Sequence, residues 1–167
     1  MTLNEAVVEK LGVAEADLTR QLVSDVCEIF TTMVGVEDIK PLPREERTLQ
    51  FDKSVTAMVG LAGTCNGVVC LYASQTLALA FTAQMLGMDV SEVADDMGDA
   101  LGEITNMIGG SFKHHLSNGG DDIKLSTPSV VTGTDYSFSS VHACETLSLI
   151  FSASGEKFMV SVALEMD

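Results

Sequence analysis

The sequence predicts a single α+β domain, spanning residues 1–167, in which a mostly antiparallel sheet packs against two long helices and one shorter helix. Three observations support this prediction. Two long segments carry apolar residues at helical spacing, four apolar runs fall into two neighbouring pairs, and the order along the chain is helix, hairpin, two helices and a strand meander. Because 46 % of the residues are hydrophobic and no segment is of low complexity, we expect a globular fold rather than disorder.

The first long helix is predicted to begin at Asp17, a residue type that caps helix N-termini, and to end at about Val34. Gly35 follows as a stop signal. The side of this helix that faces the core is marked by apolar residues at helical spacing, namely Leu18, Leu22, Val26, Ile29 and Met33.

Two further helices are predicted in the middle of the chain. The shorter one covers residues 75–86, which are rich in alanine and leucine, and ends at Gly87. The longer one begins near Asp89, because a capping residue followed by Glu92 three positions later is typical of a helix start, and it ends near Leu116.

Strands are predicted on both sides of these central helices. The apolar runs 54–63 and 67–74 form a hairpin whose turn is indicated by Asn66-Gly67. The polar segment 40–47 contains two of the three prolines and is therefore a connection or a sheet edge. The C-terminal strand candidates are 129–133, 137–144, 146–153 and 157–166, the last two joined by a tight turn at Gly155-Glu156.

The charge balance excludes two classes of partner. With 24 acidic and 9 basic residues the net charge is -15, which repels nucleic acid and anionic membranes. No stretch reaches the ~18 consecutive apolar residues of a membrane-spanning helix, and the N-terminus MTLNEAVVEK has acids where a signal peptide has a basic start. We therefore expect a cytosolic protein.

The four cysteines are scattered through apolar segments and form no C-x-x-C pair, so buried free thiols are the first interpretation. A thiol or metal sensor is the alternative. Adjacent histidines on a helix point about 100° apart and suit one ion poorly. The residues concerned are Cys27, Cys65, Cys70, Cys144, His114, His115 and His142.

A carboxylate and an amide share one face of the second long helix. Glu103 and Asn106 are three residues apart and hence neighbours on the helix surface, and Asp99 lies one turn earlier. Glu103 offers a charge for a lysine or arginine, and the Asn106 amide can hold a water molecule with one atom while contacting an oxyanion with the other. Hydrolysis of a phosphoryl group needs mainly such positioning and charge compensation. On the pattern alone, a solvated helix face is the competing interpretation.

Three glycines, Gly102, Gly109 and Gly110, lie on or beside this face within residues 99–116 of the same helix. Each costs about 1 kcal/mol of helix stability relative to alanine. Positions without side chains beside the acid and amide would let the active site of another protein close over the helix. Close packing of Gly109 and Gly110 against another helix or a second subunit is the alternative.

The motif D-x-x-x-E-x-x-N, formed by Asp99, Glu103 and Asn106 and followed by M-I-G-G, resembles that of the chemotaxis phosphatases CheC and CheX. The hairpin before this helix and the meander after it fit the same family, and CheX is closer because only one helix carries a complete motif. The resemblance implies a phosphatase that enters the phosphorylation site of a CheY-like response regulator. There Glu103 would contact a regulator lysine, Asn106 would position the attacking water, and Asp99 would have a supporting role.

The resemblance also implies the partners of the chain. Mg²⁺ would be bound in the acidic pocket of the regulator, with no cofactor of the chain's own, and the chain would form a homodimer through sheet contacts. The pathway would be chemotaxis or another two-component system. The alternative is a non-catalytic docking module that binds regulators, related to the flagellar switch proteins that resemble the same fold.

The first long helix repeats part of the motif. When residues 24–35 are aligned with 99–110, Ser24 takes the place of the leading acid, Glu28 that of the glutamate and Thr31 that of the asparagine. Since a threonine lacks the amide, we expect this second site to be degenerate and inactive.

Overall fold

The computed structural model describes residues 3, 5–43, 49, 51–134 and 144–165 of the chain. The strand candidate at 137–144 lies outside the described residues except for its last position. The α-helices are α1 (Glu5–Leu11), α2 (Glu15–Ile29), α3 (Gln75–Leu86) and α4 (Met97–Phe112). A π-helical turn (Phe30–Val34) continues α2, and short 3₁₀ turns occupy Val90–Glu92, Ala94–Asp96, Lys113–His115 and Ser117–Gly120.

The strands form one sheet, and every pair in it is antiparallel. Its order is β1-β6-β7-β3-β2, after which β4 and β5 both pair with the outer side of β2. Helices and antiparallel sheet together confirm the α+β class. The strands are β1 (Lys40–Pro41), β2 (Ser54–Ala62), β3 (Asn66–Ser74), β4 (Lys124–Leu125), β5 (Ser129–Gly133), β6 (Cys144–Ala153) and β7 (Glu156–Glu165).

The core lies between one face of the sheet and the helices. Alternate residues of the central strands, such as Val69 and Leu71 of β3, are fully buried, as a half-covered sheet requires. Phe30, Phe81 and Phe158 meet at centroid distances of 4.8, 5.1 and 5.4 Å and join the end of α2 and α3 to β7. α4 packs on β2 and β3 and also contacts α2 and α3, so it is the most central helix.

Both predicted turns lie one or two residues away from their expected places. Asn66 and Gly67 belong to β3 and pair with β7, and the turn is formed by residues 63–65. Gly63 N donates to Asn66 Oδ1 at 3.1 Å, and a Cβ on Gly63 would lie 2.0 Å from the Asp122 carbonyl oxygen, so only glycine fits. The second turn is Ser154-Gly155, both with positive φ, which suits the twist of a two-residue hairpin.

The predicted start of the second long helix at Asp89 is wrong. Asp89 caps only the first 3₁₀ turn, where its Oδ1 accepts from Ser91 N at 2.9 Å. Val93 is fully buried between the two 3₁₀ turns and interrupts the helical path, so α4 begins only at Met97.

The remaining helices are confirmed with small differences. The first long helix begins at Glu15 rather than Asp17 and ends at Gly35, whose φ is 90°. Met33, predicted to face the core, is instead 55 % exposed in the π-helical turn. The shorter helix ends at Gly87 as expected. The short helix α1 was not predicted; Leu11 at its end and Leu3, just before its start, are buried.

Candidate active site

α4 holds the acid and the amide on its outer side. Its inner face is buried against the sheet, with Leu101, Ile104 and Ile108 fully inaccessible to solvent. Glu103 is exposed and Asn106 is half-buried on the opposite side. A helix anchored along its whole inner face holds side chains on its outer face in fixed positions, which is what a positioning site needs.

The polar side chains on this outer face are free to bind a partner. Among the described residues, Asp99, Glu103 and Asn106 have neither a hydrogen-bond partner nor an ion-pair partner. Thr105, which lies between the two motif residues, points inward and donates from Oγ1 to Leu101 O at 2.7 Å. The exposed set is therefore limited to two carboxylates and one amide.

A groove of about 500 Å³ lies beside the pair. One wall is formed by residues 98–103 of α4 and the other by residues 127–130, which lead into β5. The sequence did not predict this groove, because its second wall belongs to a later segment of the chain that meets α4 only in the folded protein. The one local signal is Pro128, the third proline, immediately before β5.

Two of the three glycines are buried. A Cβ on Gly102 would lie 3.1 Å from Pro128 Cβ, a tight approach that favours glycine, and Gly102 also lines the groove beside Glu103. A Cβ on Gly109 would make an ordinary contact with Leu125 at 3.5 Å, and this glycine lies in the packed layer between α4 and the strands. The access prediction is therefore wrong for Gly109, and for Gly102 it is limited to the groove.

Gly110 differs from the other two glycines. It is half-buried, and a Cβ there would make only an ordinary contact, 3.8 Å from Leu125 Cδ1. The packing of the chain therefore does not require glycine at this position. Access for a partner remains the explanation that its place on the helix favours.

The residues predicted to form a degenerate second site are exposed. Ser24, Glu28 and Thr31 all lie at the surface, and Thr31 lies in the π-helical turn that continues α2. The backbone between Glu28 and Thr31 keeps α-helical torsions at Ile29 and Phe30, so the difference from α4 that the structure shows at this position is the missing amide. The inactivity of this site stays a prediction.

A side-chain pair ties the end of α4 to α2. His115 Nε2 lies 2.8 Å from Asp25 Oδ2, and both side chains are largely buried. The pKa of the Asp25 carboxyl is raised, because desolvation by burial outweighs the stabilising contact with His115. Nothing in the local sequence could have predicted this pair, since the two residues are 90 positions apart.

The thiols and imidazoles do not converge. Burial raises the pKa of the thiols of Cys27, Cys65 and Cys70, which keeps them protonated and unreactive. His114 contacts the Gly119 carbonyl through Nδ1 at 2.8 Å, away from the partner of His115. The described residues contain no group of three His, Cys, Asp or Glu that could hold a metal ion, and His142 lies outside them.

No helix in the described part of the chain is long and apolar enough to cross a membrane.

The fold and the helix-borne pair define a class of protein: an α+β domain of the CheC and CheX type, which presents an acid and an amide on an exposed helix face instead of in a deep cleft. The model of one family in this class, described as chemotaxis phosphatase CheX, matches residues 55–152. Since the match covers more than half of the chain, the chain belongs to the chemotaxis phosphatase CheX family.

Individual relatives agree with this assignment. The chain is 25 % identical over 122 residues to the CheY-P phosphatase CheX of Thermotoga maritima, covering 72 % of this chain and 79 % of that protein. The crystal structure of a chemotaxis protein CheX from Desulfovibrio desulfuricans matches with a TM-score of 0.71 and 30 % identity, covering 89 % of this chain and 99 % of that one. A CheX–CheY–BeF3–Mg²⁺ complex from Borrelia burgdorferi matches in fold, with a TM-score of 0.71, 21 % identity and coverage of 90 % and 99 %.

Proposed function

We propose that this member of the chemotaxis phosphatase family hydrolyses the aspartyl phosphate of a CheY-like response regulator through Glu103 and Asn106. The observation that carries the proposal is the pair itself: a carboxylate and an amide with no partner among the described residues, on the outer face of the most firmly packed helix. A helix face of this kind can enter the phosphorylation pocket of another protein.

Asn106 has the chemistry to place the attacking water. Its amide oxygen accepts a proton of the water, and its amide nitrogen donates to an oxygen of the phosphoryl group. The transition state of phosphoryl transfer is loose and is stabilised mainly by alignment and charge compensation. A fixed amide therefore accelerates the reaction without acting as a base, and no nucleophile on this chain is required.

Glu103 supplies the second contact. It lies one helical turn before Asn106 and is exposed, so its carboxylate can pair with a lysine of the regulator while Asn106 reaches the phosphoryl group. A charge pair of this kind fixes the register of two surfaces as well as adding affinity. Mg²⁺ in this proposal belongs to the acidic pocket of the regulator, and the chain contributes no ligand to it.

We further propose a cytoplasmic homodimer formed through sheet contacts, as the family resemblance implies. Within the described residues the sheet ends at β1 on one side and at β4 and β5 on the other, and these edges carry backbone groups that a second copy can pair with. The catalytic pair lies on the helical side of the molecule and is not part of such a contact.

Turnover at substoichiometric amounts tests the proposal. One part of the chain is mixed with about 20 parts of each phosphorylated regulator of the source organism, a ratio chosen to make turnover visible, and the release of inorganic phosphate is followed. A phosphatase releases phosphate from many regulators per chain, whereas a non-catalytic docking module changes at most one regulator per chain. A release no faster than that of the regulators alone would contradict the proposal.

A further inference from the structure

The groove beside the catalytic pair has two chemically different walls. Asp99 and Glu103 on α4 line one wall, and Pro128 and Val130 line the other. Gly102 forms part of the α4 wall next to Pro128, where an added Cβ would lie 3.1 Å from Pro128 Cβ, so glycine lets the two walls approach closely. The result is an open channel that is acidic on one side and apolar on the other.

The acidic wall is available to a cation from outside the chain. Asp99 and Glu103 are exposed and have no partner among the described residues. Lys113 lies beyond the far end of α4, about 15 Å from Glu103 along the helix axis at 1.5 Å per residue, and its Nζ donates to Ile123 O, so it does not pair with either acid. A segment that combines a basic side chain with apolar neighbours complements both walls.

The groove is continuous with the catalytic pair, because Glu103 belongs to both. Asp99 precedes Glu103 by about 6 Å along the helix axis, at 1.5 Å per residue. A partner whose phosphorylation pocket receives Glu103 and Asn106 therefore brings its adjoining surface over Asp99 and the groove.

We propose that the groove is a second contact for the response regulator. It binds a segment next to the phosphorylation pocket, with a basic side chain against Asp99 and an apolar side chain against Pro128 and Val130. The proposal rests on the proposed function and adds to it, since it gives Asp99 a binding role separate from the lysine contact of Glu103 and the water contact of Asn106.

Gly98 is the position at which a substitution can block the groove. It lines the groove near the start of α4, and a Cβ built on it meets no atom within 4 Å. Gly98→Leu should therefore fill the groove without displacing any part of the chain, and the melting temperature should not fall because leucine favours helix over glycine. Ala94→Leu, which adds the same side chain at an exposed position outside the groove, is the matched control.

The probe is the regulator of the source organism that the parent chain binds most tightly after activation with beryllofluoride and Mg²⁺. We expect Gly98→Leu to weaken its binding at least about tenfold and to raise the KM for phosphate release in proportion, with kcat within about twofold of the parent. Asp99→Lys should have a similar effect on binding, whereas Asp95→Lys, the same charge change at an exposed residue outside the groove, should have a much smaller one.

The outcomes separate this proposal from the proposed function. If Gly98→Leu and Asp99→Lys bind the activated regulator as tightly as their controls do, the groove is not a contact, whatever the rate of hydrolysis. If the parent binds without releasing phosphate, the catalytic function fails and the groove variants still decide the binding question. A parent that binds no activated regulator would overturn both.

Discussion

α2 and α4 both expose a glutamate, Glu28 on one helix and Glu103 on the other, yet they differ three residues later. There α4 carries an amide, whereas the π-helical turn that continues α2 carries Thr31. The two helices thus share exposure and negative charge, but only α4 has at this position a group that can hold a water molecule. In the proposed mechanism the acid alone therefore does not make a site, because the amide beside it is also needed.

The largest effect is expected for Asn106→Ala. Removal of the amide should lower the rate of phosphate release by about 100-fold, or about 2.7 kcal/mol of transition-state stabilisation. The melting temperature should be unchanged because Asn106 has no partner among the described residues. Thr31→Ala, at the corresponding position after α2, is the matched control and should keep the parent rate. Equal rates for the two variants would contradict the prediction that only α4 holds a catalytic amide.

The adjacent glycines of α4 should respond in opposite ways. Gly110→Leu should leave the fold intact and lower the rate about tenfold or more by blocking the partner, since the position is half-open. Gly109→Leu should instead destabilise the protein by about 1–3 kcal/mol, because the added atoms enter the packed layer between α4 and the sheet. Urea unfolding and phosphate release measured on both variants test this, and a fully active Gly110→Leu would refute the access role.

The contact between the two helices should make stability depend on pH. The pKa of Asp25 is raised above its usual 3.8, so the folded protein holds this proton more tightly than the unfolded chain does. The stabilisation is present below pH 3.8 and is lost as the pH rises through the raised value. Asp25→Asn, which stays neutral, should therefore gain stability relative to the parent as the pH rises, as followed by melting temperature. A gain for the parent instead would show that the pair with His115 outweighs burial.

The smallest effect is expected when the amide is restored on α2. Thr31→Asn in an Asn106→Ala background should leave the rate at about a hundredth of the parent rate, the level set by Asn106→Ala, because Ser24 stands where α4 has Asp99 and the other contacts of the α4 site are missing. Phosphate release at high chain concentration measures it. Recovery to about a tenth of the parent rate would show that side-chain identity alone separates the two helices.

Hydrophobic periodicity along the sequence was sufficient to predict the types of the long helices and of the central strands. Helical spacing around Leu22 and strand alternation around Val69 gave the right element types, and a spacing of three placed Glu103 beside Asn106. The start of α4 was missed because it depends on the burial of Val93, a tertiary contact that overrides a good capping pattern.

The roles of the glycines could not be predicted from the helix alone. Gly102 and Gly109 lie against Pro128 and Leu125, which belong to a segment that reaches α4 only in the folded chain. Helical geometry assigns residues to a face, but which face is covered, and how closely, depends on distant parts of the sequence. The groove escaped prediction for the same reason.

One paired measurement tests most directly the claim that α4 alone holds the working site. Initial rates of phosphate release are compared for Glu103→Ala and Glu28→Ala, each an exposed glutamate truncated on its own helix, with circular dichroism and melting temperature as checks of folding. The account predicts a clear loss of rate for Glu103→Ala, together with weaker regulator binding, and the parent rate for Glu28→Ala. A large loss for Glu28→Ala in a fully folded protein, or an unchanged rate for Glu103→Ala, would contradict it.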